Sequence, residues 1–114
     1  MQELPNDIAQ CLAPHTIFIF SKSYCKYCTK AKNYLDRLGV NYKAVECDKI
    51  PFSSEQQYQL RSISGTSTFP NIFVGVQSIG GCDNLLRLGK KGELKKILDA
   101  ENIQYKVDPA NKSA

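Results

Sequence analysis

Two cysteines, Cys25 and Cys28, stand where an apolar run, Thr16-Ile17-Phe18-Ile19-Phe20, gives way to a stretch with helical spacing. A C-x-x-C at a strand-to-helix turn reads as a redox pair rather than half of a zinc site. Cys25 would then sit at a helix N-terminus, where unpaired backbone N–H groups and the helix dipole favour an anion. With Lys22 nearby, that setting lowers a thiol pKa from about 8.5 towards roughly 3.5–7.5. Cys28, one turn on, is expected to be more buried, nearer to an ordinary thiol, and close enough for a disulfide with Cys25. The competing readings are two core cysteines or two zinc ligands. A tetrahedral zinc site normally takes four ligands, and Cys11, His15, Cys47 and Cys82 are scattered singly.

The elements that must position this pair belong to one domain with a single real core, as a chain of 114 residues allows. A hydrophobic content of 42% argues against wholesale disorder. The net charge of +4 is mild and its lysines are dispersed, which disfavours nucleic acid as a partner and suits a small anionic one. Five cysteines are an odd count, which argues against a secreted disulfide framework. No signal-peptide pattern and no run of membrane-spanning length is seen, so a reducing, cytoplasmic setting is expected.

In chain order, Leu4, Ile8, Cys11 and Leu12 predict a short N-terminal helix with Pro5 in its first turn. Thr16 to Phe20 is too apolar to alternate and suits a central strand buried on both faces. After the cysteines, Cys28, Ala31, Tyr34, Leu35 and Leu38 form one apolar face, stopped by Gly39. Asn41 to Cys47 reads as a second strand, which makes a parallel βαβ unit, with Cys47 as a core thiol. Ser54 and Gln57 have capping-box spacing for a helix to about Ser64. Asn71 to Val74 and Gln77 to Ile79 read as a hairpin. Gly80-Gly81 turns into a helix carrying Leu85, Leu86 and Leu88, broken over Gly89 to Gly92. A last helix carries Leu94, Ile97 and Leu98. The domain is expected to span 1–100, with 101–114 a polar, frayed tail. This order implies an α/β fold with a thioredoxin-like layout: a central four-stranded mixed sheet flanked by helices.

With Ser21-Lys22-Ser23-Tyr24-Cys25-Lys26-Tyr27-Cys28, Thr68-Phe69-Pro70 and Ile79-Gly80-Gly81-Cys82-Asp83 at these intervals, the chain resembles the dithiol glutaredoxins from about residue 8 to 99. The resemblance implies a thiol–disulfide oxidoreductase that uses glutathione as electron donor, with Cys25 the nucleophile and Cys28 the resolving thiol. It further implies that Lys22 and Gln57 hold the glycine carboxylate of glutathione and that Tyr27 walls the site. Thr68-Phe69-Pro70 matches the family's cis-proline loop, whose residue 69 backbone would pair with the cysteinyl part. Gly81, Cys82 and Asp83 would offer the γ-glutamyl carboxylate a close backbone and a helix N-terminus.

The chain departs from the family in two places. Asn84 stands where an aspartate is usual, which leaves the glutathione ammonium to Asp83 or to a weaker contact. Lys26 stands where proline is common, and is expected to bring a backbone donor and a cation beside the Cys25 sulfur. Members without that proline more often accept a cluster. The alternative function is therefore a carrier or sensor with a 2Fe–2S cluster held in a dimer by Cys25 and glutathione. The long, charged Lys26 side chain would crowd that dimer face, which favours the monomeric oxidoreductase acting on glutathionylated or disulfide-bonded proteins. A thioredoxin is disfavoured because the chain has no tryptophan.

Overall fold

The computed structural model describes residues 3–110. The first expected helix is a single 3-10 turn, Ile8–Cys11, because Asp7 accepts the Ala9 N–H and closes the chain into a tight start there. Strand β1 (Ile17–Ser21) is buried at every position. Helix α1 (Lys26–Leu38) follows, then β2 (Lys43–Glu46), α2 (Ser54–Ser64), β3 (Asn71–Val74), β4 (Gln77–Gly80), α3 (Cys82–Lys90) and α4 (Glu93–Ala100). The sheet order is β2-β1-β3-β4. β1 runs parallel to β2 and antiparallel to β3, and β3 antiparallel to β4, so the sheet is mixed as its element order implied.

The burial of β1 on both faces follows from two separate cores. Ile17 and Ile19 face Ala31, Tyr34, Leu35 and Leu38 of α1, Leu85 of α3, and Leu94 and Leu98 of α4. Phe18 and Phe20 face the other way, onto Ile8, Val45, Leu60 of α2 and Phe73. There the Phe20 and Phe73 rings meet edge to face at 5.9 Å. Each such fully buried side chain contributes about 1.5–3 kcal/mol relative to exposure, so β1 anchors both layers.

Three local details differ from the sequence reading. The capping box of α2 lies one residue earlier: Ser53 Oγ accepts the Gln56 N–H, and the Gln56 side chain accepts the Ser53 N–H. Both serines could cap, and the burial of Gln56 against the Leu4 and Pro5 carbonyls selects the register. Gly89 does not break α3 but lies inside it, buried where the Tyr34 phenol crosses. Finally, residues 101–110 do not fray. Ile103 is buried, and the Lys106 and Val107 N–H groups both donate to the Leu38 carbonyl, at 2.8 and 3.1 Å. These bonds satisfy an orphan carbonyl at the end of α1, where Gly39 takes the left-handed conformation (φ 75°). The rest of the expected tail, 111–114, lies outside the described residues.

The Gly89 contact predicts a stability effect. A methyl at residue 89 would overlap the Tyr34 hydroxyl and stand 3.1 Å from its Cζ. Gly89→Ala should lower the unfolding free energy by about 1–3 kcal/mol, the usual range for overpacking a core. Adding Tyr34→Phe should recover part of that loss. Equilibrium denaturation of the two variants measures both numbers.

Candidate functional site

Cys25 is the N-cap of α1, in extended conformation (φ −89°, ψ 119°). Its sulfur accepts the Cys28 N–H at 3.4 Å and lies 3.8 Å from the Phe69 carbonyl. Burial pushes this thiol up. The Cys28 side chain, the backbone N–H groups of Cys28 and Tyr27, and the Lys22 charge outweigh that effect and hold it below its ordinary value. Cys28 is fully buried, and burial first, with the Cys25 charge added, raises its thiol. The two sulfurs are thus unequal in the sense expected. The cation that helps to lower Cys25 is Lys22, and the backbone donors are those of Cys28 and Tyr27. The Lys26 ammonium lies over its neighbour's ring instead, 5.4 Å from the Tyr27 centroid.

The loop that carries Lys22 and Cys25 is pinned from the side. Asp48, just past β2, accepts the Ser23 N–H at 2.9 Å and its hydroxyl at 2.5 Å, which holds the Asp48 carboxyl below the usual carboxylate range. Sequence reasoning missed this clamp. Its only signal is a hydroxyl residue in one loop and an acid in another, paired by strand register alone.

Facing Cys25 is a groove of about 320 Å³ lined by Tyr27, Thr68, Phe69, Pro70, Gly81, Cys82, Asp83 and Asn84. The Phe69–Pro70 bond is cis, as the motif implied. The loop before it is held by buried Asn71, whose amide donates to Ser64 Oγ at 2.9 Å and to the Thr66 carbonyl at 3.2 Å. Beyond the loop, Gly81 caps α3 without any side-chain hydrogen bond, so the first N–H groups of that helix are left to a ligand or solvent.

Lys22 does not line the groove itself but adjoins it, with its ammonium 4.7 Å from the Phe69 ring centroid. Gln57 lies one step further off. Its exposed side chain donates to the Phe52 carbonyl at 3.0 Å, and Phe52 packs edge to face on Phe69 at 6.2 Å. Asn84 was singled out only as a departure, yet it lines the groove. Its amide donates to the Ile79 carbonyl and its oxygen accepts from Arg87, so the side chain braces the Gly80-Gly81 turn. Asp83, exposed on the same rim, is the carboxylate left free to meet a cation. Cys82 is buried and its thiol is raised by burial, which suits a wall rather than a nucleophile.

The balance at Cys25 can be read by the pH dependence of alkylation. Removing the Cys28 thiol in Cys28→Ala should move the Cys25 profile to higher pH. Removing the charge in Lys22→Met should move it the same way but less, because its contribution ranks behind the hydrogen bonds.

A family model described as glutaredoxin matches residues 17–79. A glutaredoxin of Ricinus communis is 41% identical over 76% of this chain and 85% of its own length. Mitochondrial glutaredoxin-2 of Bos taurus is 42% identical over 82% of this chain and 59% of its own. Oxidised glutaredoxin 2 of Chlamydomonas reinhardtii superposes with a TM-score of 0.75 at 31% identity, over 85% of this chain and 92% of that one. A buckwheat glutaredoxin–glutathione complex superposes with a TM-score of 0.67 at 35% identity, over 75% and 78%. The C-x-x-C at the start of α1, the mixed four-stranded sheet and these relatives agree: the chain belongs to the glutaredoxin family, glutathione-dependent thiol–disulfide oxidoreductases.

Proposed function

We propose that this chain removes glutathione from mixed disulfides through Cys25 alone and reduces protein disulfides through Cys25 and Cys28 together. The observation that carries this reading is the inequality of the two sulfurs. Cys25 is accessible and held below its ordinary pKa, and Cys28 lies beneath it, buried and held above its own. A thiolate is both the better attacker and, at low pKa, the better leaving group. Cys25 therefore attacks the glutathionyl sulfur and releases the protein thiol. A second glutathione then attacks the glutathionyl sulfur, so that glutathione disulfide forms and Cys25 leaves as the thiolate; on a protein disulfide, Cys28 attacks the Cys25 sulfur and the protein thiolate leaves.

The groove supports a matching pose for glutathione. Its cysteinyl part lies along the Thr68–Pro70 backbone, the way an added strand uses a sheet edge. The γ-glutamyl carboxylate meets the uncapped start of α3 at Cys82 and Asp83, with Gly81 giving close access. The ammonium turns to Asp83, since Asn84 is neutral and engaged with Ile79 and Arg87. The glycine carboxylate reaches towards Lys22 beside Phe69, and Gln57 must release the Phe52 carbonyl to join it.

Steady-state kinetics on a glutathionylated peptide and on a protein disulfide test this reading. Cys25→Ser should lose both activities. Cys28→Ser should keep the first and lose most of the second; full deglutathionylation by Cys25→Ser would sink the assignment. Lys22→Ala should raise KM for the glutathionylated peptide about fivefold, the effect of roughly 1 kcal/mol of exposed ion pairing, with a smaller change in kcat. Gln57→Ala should change less than Lys22→Ala, because its amide starts out bonded to Phe52.

A further inference from the structure

Resting on that deglutathionylation reading, the surface around Cys25 has a second half of the substrate to recognise. A thiolate attacks a disulfide sulfur in line with the bond it breaks. With glutathione in the groove, the protein that carries the leaving sulfur therefore sits over the rim beside Cys25. On the α1 side that rim is Tyr27, which lines the groove, with Lys26 and Lys30 on the same helix. Lys26 and Lys30 stand at i and i+4, neighbours on one helix face, and both are exposed. Tyr24, next to Cys25 in the chain, is 73% exposed and Tyr27 49%. Two large rings left in water at the reactive loop are contact area for a partner.

The charge on this side has one sign. From Ser21 to Leu35 the chain carries Lys22, Lys26, Lys30 and Lys32 and no carboxylate. Lys32 is paired with Glu46, and Lys22 goes to the glycine carboxylate in the glutathione pose. Lys26 and Lys30 have no ion pair among the described residues. Asp48, the acid that pins this loop, is taken by the Ser23 N–H and hydroxyl. Helix stability does not account for the pattern. α2, α3 and α4 carry Glu55, Asp83 and Glu93 in their first turns, as the helix dipole favours. α1 has no acid there and starts with Lys26, a cation at the end where the dipole opposes it.

We propose that the α1 rim is the docking surface for the protein half of the substrate, and that Lys26 and Lys30 select segments with Asp or Glu beside the glutathionylated cysteine. The groove reads glutathione and the two lysines read its protein carrier, so the two recognitions are separate. The Lys26 ammonium lies over the Tyr27 ring, 5.4 Å from its centroid, which keeps its charge at the edge of the groove. A segment with Lys or Arg beside its cysteine meets repulsion at the same place. Exposed charges of this kind act mainly on the rate of encounter and are screened by salt.

The test compares kcat/KM for glutathionylated peptides of equal length that differ only in the residues flanking the cysteine: Glu, Gln or Lys on both sides. At low ionic strength the wild-type protein should favour the Glu peptide over the Lys peptide about tenfold, with the Gln peptide between them. Near about 0.5 M salt that preference should shrink to about twofold. The double variant Lys26→Glu/Lys30→Glu should reverse the order. Its new acids stand in the first turns of α1, where the dipole favours them, so the variant should fold. Each ratio is taken within one protein, so any change at the Cys25 thiol cancels. Equal rates on the three peptides, or a preference for the Lys peptide, would overturn the docking surface and leave deglutathionylation standing. A preference for Glu that the double variant keeps would overturn it too. A wild-type protein that processes none of the peptides would instead bring down the underlying glutathione reading.

Discussion

Cys25 fills the place before α1 where Ser, Thr, Asp or Asn usually offers an oxygen to the first free N–H groups. Its sulfur takes the Cys28 N–H at 3.4 Å. A neutral thiol is a weak acceptor, whereas a thiolate is a strong one. The interaction that starts the helix therefore gains strength when Cys25 ionises. That coupling suits the cap residue to the reactive role proposed for it. The rest of the site exists to keep the sulfur at that helix end, reachable from a groove and clear of an ordinary cap.

The platform for this is β1. Its two faces are committed to two different cores, so its end cannot shift without disturbing both. The Cys25 loop leaves directly from that end and is held by Asp48 through Ser23. On the other side, β3 starts from Asn71, which fixes the loop carrying Phe69 and Pro70. The two loops converge because β1 and β3 are antiparallel neighbours, with Phe20 paired to Asn71. The start of α3 completes the groove after the hairpin returns the chain to the same side. Interactions that look merely structural thus set distances at the sulfur.

Much of the fold was legible because its signals are local. The run at 17–20, the apolar stripe of α1, the Gly39 stop and the Gly75-Val76 hairpin each declare themselves within a few residues. The misreadings share another cause. Two adjacent serines can both cap α2, and only the docking of Gln56 on the N-terminal segment decides between them. Gly89 reads as a breaker until the Tyr34 phenol is found lying across it. The segment after Ala100 has no period, because its attachment is two backbone donations to Leu38 and a few isolated apolar side chains.

By itself the sequence singled out the atoms proposed to do the chemistry. A C-x-x-C after a buried strand dictates an activated cysteine at a helix start and a partner one turn inside. The motifs around Pro70 and Gly81 announce the walls. The tertiary structure alone decided the electrostatic details, because they depend on distances between residues remote in the chain. It set the Lys22 charge on Cys25, laid the Lys26 ammonium over Tyr27, and turned Asn84 onto the Ile79 carbonyl. It also joined Ser21 and Lys32 on the Glu46 carboxylate. Register between β1 and β2 sets that last contact, and register is a property of the assembled sheet.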